Sequence, residues 1–178
     1  MKQTIRNTIL AAILVIAAIS PQIARAAEDL RAEAQQTINQ FKAKDPTLAS
    51  WFDSSAGYAV FPNVAKGGLV VGGARGKGLV YERGKVIGQV TMTQASIGAQ
   101  VGGQSYSEVI FFETPAALQE FKDSKLEMSA DINAVAAAQG VAKTAKYQQG
   151  VAVFTLPKSG LMAQASVGGQ KFKFEPLP

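Results

Sequence analysis

Between Gly57 and Gly103 glycine returns every few residues, often doubled, among short runs of Val, Leu, Ile and Tyr. Glycine inside a strand adds backbone entropy and brings no side chain to pack. A run of them therefore marks strands that bend, bulge or let another backbone approach closely. A flexible Gly-rich linker is polar and Ser-rich, whereas these glycines alternate with Leu69, Val70, Val71, Leu79, Val80 and Ile97. The block predicts a strongly curved or barrel-like antiparallel sheet, and with the helical segments around it an α+β fold. Closing such a sheet would protect its edges.

The strand period predicts Tyr58–Phe61, Gly67–Gly73, Lys77–Glu82, Val86–Thr93, Ala95–Gly102 and Glu108–Glu113, with a hairpin turn at Arg83-Gly84. Thr114-Pro115 reads as an N-cap followed by proline at the first helical position, with Leu118 and Phe121 facing inward and the helix ending before Ser124. An Ala-rich helix is expected over Ser129–Ala138, closing near Gly140. Strands follow at Gly150–Leu156, Leu161–Val167 and Lys171–Phe174, with a turn at Pro157-Lys158-Ser159-Gly160. Met92 to Gly98 resembles Met162 to Gly168, which reads as duplicated strand geometry within one domain, since two copies are too few for a solenoid.

The segment from Gly57 through Phe61-Pro62-Asn63-Val64, then Lys66-Gly67-Gly68, Val71-Gly72-Gly73 and Gly76-Lys77-Gly78, is similar to the core of the SYLF domain. Gln94 to Gly103 and Phe111-Phe112-Glu113 continue the resemblance, which extends from about Leu48 to the C-terminus. It implies lipid binding; eukaryotic members act at phosphoinositide membranes and actin patches, and bacterial members are mostly exported. Many members carry Trp and Pro where this chain has Val86-Ile87-Gly88-Gln89, so the resemblance carries no lipid specificity with it.

At the N-terminus Lys2 and Arg6 precede an apolar run from Ile9 to Ile19; Pro21 and the small-x-small pattern Ala24-Arg25-Ala26 follow. This is the pattern of a signal peptide over residues 1–26, cleaved after Ala26, because the run is shorter than the roughly 20 apolar residues that span a bilayer. The expected location is therefore exported, periplasmic or peripheral on an envelope membrane, and residues 27–178 form a single SYLF-like domain. Loss of Lys2, Arg6 and Arg25 lowers the formal charge from +5 to +2, which argues against a nucleic-acid partner. The chain has neither cysteine nor histidine, so disulfides, His-based triads and His-ligated metals are excluded.

Glu28 to Lys44 reads as an amphipathic helix with Leu30, Ala34, Ile38 and Phe41 on one narrow stripe, stopped by Asp45-Pro46; Leu48, Trp51 and Phe52 share one face of a short second helix. The first helix either packs on the domain or lies on a membrane with Arg31, Phe41, Lys42 and Lys44 at its contact edge.

Gly72-Gly73-Ala74-Arg75-Gly76-Lys77-Gly78 superficially resembles a phosphate loop, but Val71 and Gly78 occupy positions that need Gly and Ser or Thr. No nucleotide is expected. No Gly-x-Ser-x-Gly elbow occurs and no carboxylate pair such as Glu82 with Glu113 follows from spacing, so no enzyme activity and no cofactor are expected. Lys66, Arg75, Lys77, Arg83 and Lys85 cluster at strand ends and turns. They suit either simple solvation or a cationic face for anionic headgroups. The expected partner is a phospholipid or membrane surface; the alternative is a structural or protein-interaction module of the envelope, with an envelope protein as partner.

Overall fold

The apolar stripe of the first helix turns inward. In the computed structural model, which describes residues 25–67, 71–97, 103–126, 128, 132–159 and 167–177, helix α1 runs over residues 25–44. Ala34, Ile38 and Phe41 are buried along it. Asp45 ends it, and α2 follows over Leu48–Ser54, burying Leu48 and Phe52. The strands are β1 (Gly57–Gly67), β2 (Val71–Glu82), β3 (Lys85–Ile97), β4 (Gln104–Phe112), β5 (Ala134–Ala136), β6 (Val151–Ser159) and β7 (Gln170–Pro176). Helix α3 spans Pro115–Lys122, and its cap is the expected one: Thr114 accepts a hydrogen bond from the Ala117 amide. A 3-10 turn covers Val141–Lys143.

One seven-stranded sheet has the order β5-β6-β4-β1-β2-β3-β7. Every pair is antiparallel except β5 with β6, which is parallel, so the expectation of a wholly antiparallel sheet is corrected at that edge. The sheet is open: among the described residues no ladder joins β5 to β7. It is nevertheless strongly curved. Four strand steps separate β4 from β7, which on a flat sheet would be about 19 Å, yet Gln170 Nε2 of β7 donates to Glu108 Oε2 of β4 at 3.0 Å. Phe61 of β1 and Phe172 of β7 also meet, with ring centroids 6.1 Å apart.

The curvature divides the core in two. The concave face buries Phe61, Val64, Met92, Tyr106, Ile110 and Phe172, with α3 packed over it. The convex face buries Val60, Leu79, Tyr81, Val109, Phe111 and Phe154 beneath α1 and α2. The glycines of β2 follow from this. A Cβ on Gly78 would collide with the Val60 carbonyl and lie 2.8 Å from Phe61 Cδ1, so glycine leaves the concave side open for that ring.

Several expected elements differ. The predicted strands Gly67–Gly73 and Lys77–Glu82 are not separate: β1 ends at Gly67, residues 68–70 lie outside the described set, and β2 is continuous from Val71 to Glu82. Likewise β3 runs unbroken through Gln94, while 98–102 fall outside. The Ala-rich helix is a misreading over its described part. Ala134–Ala136 is extended and pairs with Val153–Thr155, because pairing with β6 overrides the strong intrinsic helix propensity of alanine. Pro157 forms no turn; it sits in β6 opposite Tyr106, beside a register shift between Ser105 and Tyr106 where its missing N–H is tolerated. All of the predicted strand Leu161–Val167 except Val167, and most of the second repeat copy, lie outside the described residues, as do residues 1–24 of the expected signal peptide. The Arg83-Gly84 turn is as expected, with φ of 51° and 73°.

Candidate functional site

Strand register assembles a charged face that sequence order does not show. Across the convex side of β1, β2, β3 and β7 run two rows, Ala65–Arg75–Thr93–Lys171 and Asn63–Lys77–Thr91–Lys173. Strands lie about 4.8 Å apart and alternate residues about 6.8 Å apart, so the four cations mark the corners of a patch about 10 by 7 Å. All four are exposed. Lys173 Nζ lies 2.8 Å from Glu175 Oε1. That hydrogen bond and charge, with a smaller contribution from Lys77, hold the Glu175 carboxyl below its usual range.

Beside this patch, the first turns of α1 and strands β1 to β3 border a cleft of about 850 Å³. Ala27, Leu30 and Ala65 supply its apolar wall, and Arg75, Lys77, Asp29 and Glu33 its polar side. An amphipathic groove bordered by cations thus lies where the helix-covered half of the convex face meets the uncovered half.

The predicted site residues do not form one face. Lys66 alternates with Val64 and pairs with Ala74, which places it on the concave side, 8% exposed and away from Arg75 and Lys77. Arg83 and Lys85 lie at the opposite end of the sheet, in the β2–β3 hairpin. Lys42 stands 5.0 Å from the Phe52 ring centre, and a second, smaller hollow there is lined by Lys42, Phe52, Asp53 and Arg83. Arg31 is exposed on α1, and its charge reaches Tyr81. Burial and the neighbouring Tyr58 push the Tyr81 phenol up to about 12 against that charge. Phe41 is fully buried in the convex-face core. As a membrane-contact residue it is corrected to a packing residue, because the stripe that carries it meets the sheet.

Two further groups escaped sequence reasoning. Lys171 and Lys173 were detectable in the Lys-Phe-Lys-Phe alternation, which places Phe172 and Phe174 inward and both lysines outward. The second group is polar and interior. Tyr106, Glu108 and Gln170 are each 0% exposed on the concave side. Burial pushes the Glu108 carboxyl up to about 7, with the Gln170 hydrogen bond opposing. Burial and then Glu108 raise the Tyr106 phenol, with Gln170 again opposing. Among the described residues no cluster of three or more acidic side chains is placed to hold a metal ion, and no helix is long and apolar enough to cross a membrane.

Residues 93–175, from within β3 into β7, match a family described as "Ysc84: Las17-binding protein actin regulator". The chain is also similar to "Beta cell expansion factor A" of Aeromonas veronii, 31% identical over 131 residues, covering 72% of this chain and 49% of that protein. The chain belongs to the SYLF family. It spans about half the length of that relative. The matched region of the SYLF domain contains β4, α3 and β6 and ends in β7, so it includes Tyr106, Glu108, Gln170 and both outward lysines of β7.

Proposed function

We propose that this SYLF protein binds anionic membrane lipid through the convex face of β2, β3 and β7, without catalysis. The observation that carries this reading is the grouping of Arg75, Lys77, Lys171 and Lys173 beside an apolar cleft. Cations near an anionic surface each contribute about 1 kcal/mol, and an adjoining apolar wall adds burial for a lipid chain. The threonines between the cations, Thr91 and Thr93, add hydroxyl donors for phosphate oxygens. Family membership supports lipid binding as a class. The N-terminal sequence supports export, with cleavage after Ala26 leaving residues 27–44 of α1 on the mature protein at the edge of the cleft.

Flotation of the purified mature protein with vesicles of phosphatidylglycerol and phosphatidylcholine, against phosphatidylcholine alone, tests the reading. Binding to the anionic vesicles that is lost in Arg75→Gln/Lys77→Gln and in Lys171→Gln/Lys173→Gln is the expected result. Equal binding to both vesicle types would assign the affinity to the apolar wall of the cleft, and binding to neither would leave a protein-interaction module of the envelope as the better reading.

A further inference from the structure

Among the described residues the concave interior holds one carboxyl group, that of Glu108, and its hydrogen-bond arithmetic requires a proton. Glu108 Oε2 accepts from Gln170 Nε2, which ties β4 to β7 across the inside of the curved sheet. Three other fully buried oxygens close to that bond make no well-aligned hydrogen bond: Glu108 Oε1, Gln170 Oε1 and Tyr106 Oη, the last only in looser contact with Gln170. With Glu108 ionised, its Oε1 and the Gln170 Oε1 are both acceptors only, and the Tyr106 hydroxyl supplies one hydrogen for the two of them. With a proton on Glu108 Oε1, the acid and the amide form a reciprocal pair: the amide N–H donates to one carboxyl oxygen and the carboxyl O–H donates to the amide oxygen. The Tyr106 hydroxyl then has a lone pair left to donate to, and every group is satisfied.

Little else on this face can compensate a charge. Opposite Glu108 stand Phe61 on β1 and Thr155 on β6; α3 contributes Ala117, Leu118 and Phe121; β7 contributes Gln170 and Phe172, and β3 Met92 and Gln94. The titratable or charged groups that these elements present on the concave side are Tyr106 and, five residues along β1 from Phe61 toward the strand end, Lys66.

We propose that Glu108 is a proton-operated latch: as a neutral acid paired with Gln170 it holds the C-terminal strand β7 against β4, and its ionisation releases β7 from the concave core. The upward displacement of its pKa to about 7 agrees with this geometry. Because the folded pKa lies above the ordinary value of 4.5, the stabilisation is complete below that value and is lost as pH rises through about 7. The latch does not depend on what the outward face binds. Its consequence reaches that face, since β7 carries Gln170 inward and Lys171 and Lys173 outward.

Hydrogen–deuterium exchange of the β7 amides, corrected for intrinsic rates, from about pH 5.5 to about pH 8.5 tests the latch. The expected result for the wild-type mature protein is an opening constant that rises about tenfold per pH unit from about pH 5.5 and levels off above about pH 7, where closed and open forms are both ionised, as linkage to one proton demands. Glu108→Gln keeps a hydrogen-bonding amide at every pH and should remove the slope. A flat wild-type profile, or the same slope in Glu108→Gln, overturns the proposal. Should that variant fail to fold, infrared spectroscopy of the wild type decides. A protonated carboxylic-acid band present at about pH 6, when an ordinary carboxylate is ionised, and lost at higher pH supports the latch; its absence at about pH 6 overturns it.

Discussion

The Asp45 carboxylate accepts a 2.8 Å hydrogen bond from the Ala142 amide, 97 residues further along the chain. Its other oxygen receives the amides of Thr47 and Gly140 and the Thr47 hydroxyl. One side chain thus ends α1, shapes the turn into α2 and holds the start of the 3-10 segment. Burial by itself would raise its pKa, but these four hydrogen bonds together outweigh burial and hold it at about 2. Because the folded pKa lies below the ordinary 3.8, the stabilisation is present above that value and is lost as pH falls through about 2. Asp45→Ala should cost about 3 kcal/mol at neutral pH, since it orphans buried amides that pointed at a charge. Equilibrium urea unfolding at neutral pH and near pH 3 is the check: the gap between variant and wild type should narrow on acidification.

Phe41 is 0% exposed among Leu48, Val60 and Phe111 in the convex-face core. Phe41→Ala should therefore lower unfolding stability by about 3–5 kcal/mol, as truncation of buried aromatics does. Thermal or chemical denaturation decides. A near-normal stability, with weakened vesicle binding, would show that α1 leaves the sheet for a membrane.

What the sequence disclosed was local chemistry. The Thr114 cap, the Arg83-Gly84 turn, the single apolar stripe of α1 and the stop at Asp45-Pro46 depend on neighbours within a few residues, and each is found as read, whereas the side on which the stripe is buried was left open by the sequence. The Ala134–Ala136 segment was misread because its strand conformation comes from β6, far along the chain. Lys66 parted from Arg75 and Lys77 because a register shift between Phe61 and Val64, at Pro62, sets which side each residue faces. The four-cation patch needs the β2–β3–β7 register, which no single segment contains. Glu108 is hidden for a related reason: Gln170 reaches it only because the sheet curls through four strand steps.

Glycine at 78 is a packing requirement, and glycine at 67 is not. Alanine at Gly78 would drive its methyl into the Val60 carbonyl and the Phe61 ring, whereas among the described residues nothing lies within 4 Å of the corresponding position at Gly67. Gly78→Ala should destabilise by about 1–3 kcal/mol through overpacking. Gly67→Ala should change stability by less than about 1 kcal/mol, in the stabilising direction, by restricting the unfolded chain. The difference in urea midpoint between the two variants reads this directly; equal midpoints would mean that β1 and β2 are less closely packed on the concave side than the register implies.

The charged patch makes a prediction about salt as well as sequence. Arg75, Lys77, Lys171 and Lys173 are exposed, so any attraction they exert on a membrane is screened within a Debye length of about 8 Å at physiological ionic strength. Neutralising either pair, Arg75→Gln/Lys77→Gln or Lys171→Gln/Lys173→Gln, removes two cations and should weaken binding to anionic vesicles by about 2 kcal/mol, roughly thirtyfold in Kd. The second pair should have the smaller effect, because Lys173 already holds Glu175 at 2.8 Å. Folding should be nearly unchanged, as exposed substitutions usually fall within about 0.5 kcal/mol. Raising the salt to about 1 M shortens the screening length to about 3 Å and should reproduce the quadruple variant. Vesicle binding that survives both high salt and all four substitutions would assign the affinity to the apolar wall of Ala27, Leu30 and Ala65, and Leu30→Ser should then abolish it.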